Sequence, residues 1–373
     1  MPRLSDWVAR LPAHVSNRVR ESRWVYRRLS SALGNQILVP RLFPPNTTRL
    51  IVFLTPGREF RSGGILSIVS LYEESRALAA IHESAVALCT VPGDPPLLKY
   101  TWFKNRSYIL DLHTVLEQCR GVEALLLHVP EYAVNPVVEW AHGAGAPLLR
   151  RIRDVHINVM LQNIDVIQGQ RVDRLRPLGR VTATTAHEAY TNATTRAKLG
   201  IPLHRLSVML YPERYRYSPY GEKRSVLIVS PDSHPDKVEI LDAIQAAMPE
   251  LSIITIQHMR FETYLEHIHR AKWSLTFGEG LDGYFAEPVF CGAVAFAVFN
   301  DRFFTPAFRD LPTVYDSWPT LTNRIVSDMR RLDEAEPYQA CWREIDAVLR
   351  DLYSVQRTRE NLRQFYIGNY TFP

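Results

Sequence analysis

Cysteine is scarce in this 373-residue sequence, with only Cys89, Cys119, Cys291 and Cys341, far apart and never in a C-x-x-C pair. That argues against a disulfide framework or a zinc site and favours a reducing compartment. No run approaches the roughly 20 apolar residues that a bilayer crossing takes. The amino-terminal stretch, broken by Asp6, Arg10 and Pro12, has no signal-peptide apolar core. A cytoplasmic protein is expected. G-x-S-x-G, Walker A and G-x-G-x-x-G are absent too, which removes motif support for a hydrolase, a kinase or a dinucleotide enzyme.

Acidic residues are nearly missing from residues 1–48, where eight arginines face only Asp6 and Glu21, while the whole chain carries a net charge of +5. Trp7, Val8, Leu11, Val15, Val19, Trp24, Val25 and Leu29 interleave with the arginines at loosely helical spacing. Two readings of this basic arm stay open: a helix packed on the body with its arginine face solvated, and an amphipathic surface resting on anionic lipid at the inner membrane. Nucleic acid is not expected as a partner, because the body is near neutral and lacks RNA-binding signatures.

With 46% apolar and 22% charged residues, the chain has material for two ordinary domains. Strands and helices alternate in two sets, which predicts parallel, doubly wound sheets. Strands are expected at Leu50 to Thr55, Ala85 to Val91, Tyr108 to Leu112, Ala124 to His128, Ile157 to Leu161 and Val181 to Thr185. The aromatic, proline-rich stretch from Leu206 to Lys223 begins with a strand and reads as a hinge. The second set places strands at Ser225 to Val229 and Leu251 to Ile256, with helices at Val238 to Ala247 and Phe261 to Arg270. Residues 333–361 read as one polar-faced helix.

The most telling stretch is 271–301, where Glu279 and Glu287 stand eight positions apart around a glycine-punctuated loop. Trp273 to Phe277 reads as a buried strand, and Gly278 to Gly283 as a turn. Glu287-Pro288 reads as a helix start with proline in its first position, and Gly292 as the end of that helix before a strand at Val294 to Phe299. A glycine loop between strand and helix presents unpaired backbone N–H groups and the positive end of a helix dipole, which suit a pyrophosphate. Carboxylates on either side suit sugar hydroxyls. The spacing alone arises by chance in a chain of this length; the succession of elements carries the information.

That succession resembles the E-x7-E region of retaining glycosyltransferases with the GT-B fold, family four in particular. The resemblance implies an α/β protein of two Rossmann-like doubly wound domains facing across a cleft. Its parts are a basic arm (1–48), an acceptor domain (49–215), a nucleotide-sugar domain (222–337) and C-terminal helices crossing back to the first domain (338–373). It implies that Glu279 faces the donor sugar, that the backbone through Gly280, Leu281, Asp282, Gly283 and Tyr284 approaches the pyrophosphate, and that Glu287 accepts from the ribose. Leu281 to Tyr284 stand where the family usually has a simple Phe-Gly step.

Further candidates follow strand ends, where open α/β sheets bind ligands. Gly63-Gly64 resembles the family's amino-terminal glycine loop near donor phosphate and acceptor, against the plainer reading of an ordinary turn. Lys237 and Arg260 stand where a cation on the pyrophosphate is expected, unless they are solvated charges. His187 is a catalytic candidate, and His128 with Glu131 are candidates for acceptor or sugar contact, although a lone histidine is more often structural. Asp-x-Asp, the usual Mg²⁺ handle of the other large glycosyltransferase fold, is absent. No metal and no cofactor is therefore expected, the diphosphate being held by amides and basic side chains.

The implied reaction is front-side transfer of a sugar from a nucleotide diphosphate sugar to a hydroxyl of a glycan or lipid-linked glycan. The implied setting is bacterial surface-polysaccharide synthesis, such as O-antigen, capsule or exopolysaccharide. Two rivals remain: a nucleotide-sugar epimerase of the same fold, and a non-catalytic membrane adaptor with a degenerate GT-B body.

Overall fold

The computed structural model describes residues 33–58, 62–95, 97–100, 107–207, 210–257, 259–281 and 283–373. Most of the basic arm, residues 1–32, lies outside the described residues, as does Asp282. Residues 33–42 are helical. Val39 and Phe43 are buried, and Asn35 Oδ1 accepts the Asp111 N–H at 2.7 Å. Compactness divides the chain into Met1–Ala183 and Thr184–Pro373, a boundary inside a strand and upstream of the 206–223 segment.

The first sheet has seven strands in the order β3-β2-β1-β4-β5-β6-β7. These are β1 (Arg49–Thr55), β2 (Ala85–Thr90), β3 (Leu110–Asp111), β4 (Ala124–Pro130), β5 (Asp154–Leu161), β6 (Arg180–Thr185) and β7 (Leu203–Arg205). From β3 through β5 every neighbouring pair is parallel. After its first residue β1 is buried throughout, which explains its unbroken apolar run: a parallel strand covered on both faces has no polar side to show. Helix α1 (Gly63–Ala77) starts at Ser62, whose side chain accepts the Gly64 N–H. Helices α2 (Leu112–Gln118), α3 (Val134–His142) and α4 (Ala193–Leu199) supply later crossovers. The expected strand from Tyr108 to Leu112 shrinks to two residues, because Asp111 caps α2 by accepting the Thr114 N–H and Leu112 is already helical.

The second sheet has five strands in the order β12-β11-β10-β8-β9, all parallel. It comprises β8 (Arg224–Val229), β9 (Ser252–Thr255), β10 (Ala271–Leu275), β11 (Val294–Val298) and β12 (Val314–Tyr315). Helices α5 (Lys237–Ala247), α6 (Phe261–Arg270), α7 (Gly283–Phe290) and α8 (Trp318–Leu332) follow β8, β9, β10 and β12. The chain winds one way from β8 to β9 and the other way from β10 onward, so the strand order reverses between β8 and β10. An open sheet forms its ligand crevice at such a reversal, beyond the strands' C-terminal ends.

Two expected helices need correction, and two further elements were not expected. Helix α7 begins at Gly283, four residues before Glu287, and Pro288 lies inside it. A proline there leaves only the Tyr284 carbonyl without its helical donor, and the helix ends two residues later. The long helix expected over 333–361 is two, α9 (Ala335–Leu352) and α10 (Val355–Tyr366), because Ser354 caps a new start by accepting the Arg357 N–H. Helix α8 and strand β12 were not anticipated, since their apolar positions are few and scattered in sequence. After α10 the tail returns to β7, where Leu203 and Phe372 exchange backbone hydrogen bonds at 2.8 and 2.9 Å.

The core of the second sheet gathers on Trp273, Phe296 and Tyr338, all essentially buried. Burial of side chains this size contributes about 1.5–3 kcal/mol each. Tyr338 also donates to the Lys272 and Gly292 carbonyls at 2.7 and 2.9 Å, tying α9 to β10 and to the end of α7. Gly292 has φ +96, and a Cβ there would run into the Ser218 carbonyl oxygen. Gly292→Ala should therefore lower unfolding stability by about 2 kcal/mol or more. Urea denaturation checks this, and an unchanged midpoint would refute the close approach.

Candidate active site

Strands β8 and β10 are joined at their C-terminal ends through Ser230. Its N–H donates to the Leu275 carbonyl at 3.0 Å, and its Oγ accepts the Phe277 N–H at 3.0 Å. Beyond this tie the two segments part, and the polar residues of the site stand on the parting loops. Thr276 Oγ1 donates to the Gly280 carbonyl at 3.1 Å, folding the β10 loop back on itself. Gly280 has φ +84, with Phe304 and the Val298 carbonyl where a Cβ would sit, so only glycine fits.

Glu279 is half-buried on this loop. Burial, with the Asp232 carboxylate as a lesser cause, pushes its pKa up to about 7. Asp232, from the β8 loop, lies against Gly278, 2.7 Å from where a Cβ would be. Glu287 is 7% exposed on α7, and burial raises it too to about 7, opposed by hydrogen bonds from Tyr264 and Tyr215. Its Oε1 lies 3.1 Å from the Cβ position of Gly283, which a larger residue would crowd. Its Oε2 is buried and has no hydrogen-bond partner among the described residues. A buried acceptor left unpaired carries a desolvation cost, which adds to the burial that raises this carboxyl.

Lys237 opens α5 with its ammonium held by the Ser230 and Asp232 carbonyls at 2.7 and 2.8 Å, 5.2 Å above the Phe277 ring. Burial lowers its pKa, and Asp232 opposes the shift. Arg260 is exposed at the start of α6. Tyr284 is half-buried, edge-on to Tyr264. Leu281 is 1% exposed, backbone included, so it is packed into the protein interior. His187 is half-buried, edge-on to Tyr190 and Phe303, and burial lowers it to about 4. It is thus neutral at physiological pH.

The first sheet revises its candidates. His128 is fully buried in β4, stacked on Phe53 at 4.2 Å, with its Nδ1 2.9 Å from Asn158 Nδ2. Its ring belongs to the polar interior of the sheet and offers a sugar no accessible surface. Glu131 is also buried, and its carboxylate accepts the Gln162 and Asn163 N–H groups at 3.1 Å each, so it shapes the turn after β5. Gln162 in turn donates to the Gly64 carbonyl at 2.9 Å and fills the space a Gly64 side chain would need. Gly63 has nothing near its Cβ position and remains open.

Sequence reasoning passed over Ser230, Asp232, His234 and Trp318. The last two have no motif: Trp318 stacks on both Phe277 and His234, and it comes from α8, far along the chain. The proline-bounded PDSHPDK loop after a buried strand was the only available signal. Among the described residues no three His, Cys, Asp or Glu side chains are placed to hold a metal ion, and no helix is long and apolar enough to cross a membrane.

The raised Glu287 carboxyl has a consequence for stability. The folded protein keeps a proton that an unfolded glutamate releases near 4.5, so stability should fall as pH rises from about 4.5 to about 7 and level off above. The loss is on the order of 3 kcal/mol. Glu287→Gln should remove its share of this dependence and leave that of Glu279, raised to about 7 as well, in denaturation measured across that range; an unaltered slope would place the titration elsewhere.

No family model and no curated protein sequence matches the chain. Solved structures do. Sucrose-phosphate synthase from Thermosynechococcus elongatus superposes with a TM-score of 0.53 at 10% identity, over 86% of this chain and 98% of that one. HepE from Anabaena, in complex with UDP and glucose, gives 0.56 at 10% identity over 86% and 100%. The catalytic domain of starch synthase IV from Arabidopsis thaliana, bound to ADP and acarbose, gives 0.54 at 8% over 86% and 100%. The chain has the GT-B fold of these glycosyltransferases, with its two Rossmann-like parallel sheets.

Proposed function

We propose that the chain is a retaining glycosyltransferase that moves a sugar from a nucleotide diphosphate sugar to a hydroxyl of a glycan or lipid-linked glycan. The observation that carries this reading is the pair Glu279 and Glu287, set on either side of the glycine loop where the second sheet reverses its strand order. The UDP and ADP bound by proteins of the same fold are in keeping with it.

Glu287, at the position of the second glutamate of the E-x7-E region, accepts from the ribose hydroxyls of the donor. Glu279 faces the donor sugar, and near neutral pH it is partly protonated, so it both accepts from and donates to sugar hydroxyls. The backbone of Gly280 to Tyr284 lies along the diphosphate, and Lys237 with Arg260 offsets the charge that grows on it. His187 acts as a neutral hydrogen-bonding group, its low pKa excluding an imidazolium. In the transfer, the bond from the sugar's anomeric carbon to the phosphate oxygen breaks and a bond to the acceptor oxygen forms on the same face. The acceptor's proton passes to the departing phosphate. No metal is required in this scheme.

A thermal-shift panel of UDP, ADP, GDP and dTDP, with their sugars, tests the reading. A matching nucleotide at roughly a hundred times its Kd stabilises the fold by about 2.7 kcal/mol. One base should stand out, Glu287→Ala should abolish its effect, and Glu279→Gln should keep nucleotide binding but lose at least about 100-fold in transfer. No response to any nucleotide would refute it, and turnover of the donor without any acceptor would point to an epimerase.

A further inference from the structure

His234 lies in the loop from β8 to α5, at the same end of the second sheet as Glu279. The Trp318 stack and the Asp236 backbone hold its ring, with the Asp236 carboxylate 3.9 Å from Nδ1. The imidazole stacks on the Trp318 indole, 3.8 Å between centroids and 29° between planes, and the indole stacks in turn on Phe277 at 5.3 Å and 5°. The Asp236 backbone N–H donates to His234 Nδ1 at 3.2 Å. With Nδ1 an acceptor, the neutral ring carries its proton on Nε2, on the edge away from the Asp236 amide.

Trp318 is delivered by a separate element. Ser317 caps α8 by accepting the Thr320 N–H, and Pro319 occupies the first turn, so the indole stands at the very start of the helix. The stack brings two kinds of donor over one ring. The His234 imidazole centroid is 6.1 Å from that of Phe277, and the Lys237 ammonium is 5.2 Å from it. A side chain already held on two sides loses little rotamer freedom when it binds a ligand, so its hydrogen bond is worth more than that of a free surface histidine.

We propose that His234 is a further donor-binding residue, whose Nε2–H donates to an oxygen of the nucleotide's diphosphate while Trp318 and the Asp236 amide hold the ring. This rests on the nucleotide-sugar reading of the same site and adds the group that grips the diphosphate beside Lys237. The Asp232 carboxylate lies against Gly278, and the Lys237 ammonium, held by the Asp232 carbonyl at 2.8 Å, stands beside it.

Calorimetry on the full chain tests this with UDP, ADP, GDP and dTDP, each compared with its nucleoside. His234→Phe keeps an aromatic ring on Trp318 and removes the N–H. It should raise the Kd of the diphosphate that binds by about tenfold or more and leave the nucleoside's Kd unchanged. His234→Gln, whose amide reaches a similar point, should recover part of the loss, which a purely packing role would not predict. Equal diphosphate affinity in wild type and His234→Phe would overturn the proposal while leaving the nucleotide-sugar reading intact. A parallel loss of nucleoside binding would also overturn it, by assigning the ring to packing. Wild type that binds none of the diphosphates would overturn both.

Discussion

Ser230 hydrogen-bonds to the Leu275 carbonyl and from the Phe277 N–H, at the point where β8 and β10 end and their loops separate. Most of the functional reading depends on this tie. Parallel strands joined up to their last residue, with crossovers running in opposite directions beyond it, leave a crevice whose rim is all loop backbone and helix starts. Lys237 and His234 stand on one side of it, and Glu279 and the approach to α7 on the other. Without the tie the rim groups would have no fixed separation, and a two-ended ligand needs one.

The rim is electrostatically unusual. Two carboxyls are held near neutrality by burial, a third presses on Gly278, and one lysine is anchored by carbonyls rather than by an acid. Burying a carboxylic acid costs less when it keeps its proton, so burial raises both Glu279 and Glu287, with the Asp232 carboxylate adding to the shift of Glu279. Once ionised, such groups weaken the fold, which is a cost that packing alone gives no reason to keep. Hydrogen bonds from Tyr264 and Tyr215 favour the ionised form of Glu287 against the larger effect of burial.

The alternation of apolar strands with amphipathic helices was plain in the sequence, because strands covered on both faces must be apolar along their whole length. So was the pairing of Glu279 with Glu287 across glycines. Less legible were elements whose apolar residues are few: β3, two residues long before a cap, β12, and the break at Ser354. The start of α7 was misplaced since Pro288 looked like a first-turn residue, and only the packed helix shows that it is tolerated near the other end. His128 was expected as the last residue of its strand with Glu131 just beyond it, yet the strand continues through Pro130 and keeps the histidine inside.

The amino-acid sequence by itself determined the fold class, the division into two strand-and-helix sets and the loop that carries the acidic pair, since these follow from local periodicity and from residues near one another along the chain. Only the tertiary structure decided which polar side chains meet. Trp318 reaches His234 and Phe277 from separate segments, Asp232 meets Gly278 across two strands, and Glu131 turns inward to backbone amides. Long-range packing sets these contacts and the burial that goes with them, and burial is what moves a carboxyl to neutrality or removes a histidine from reach.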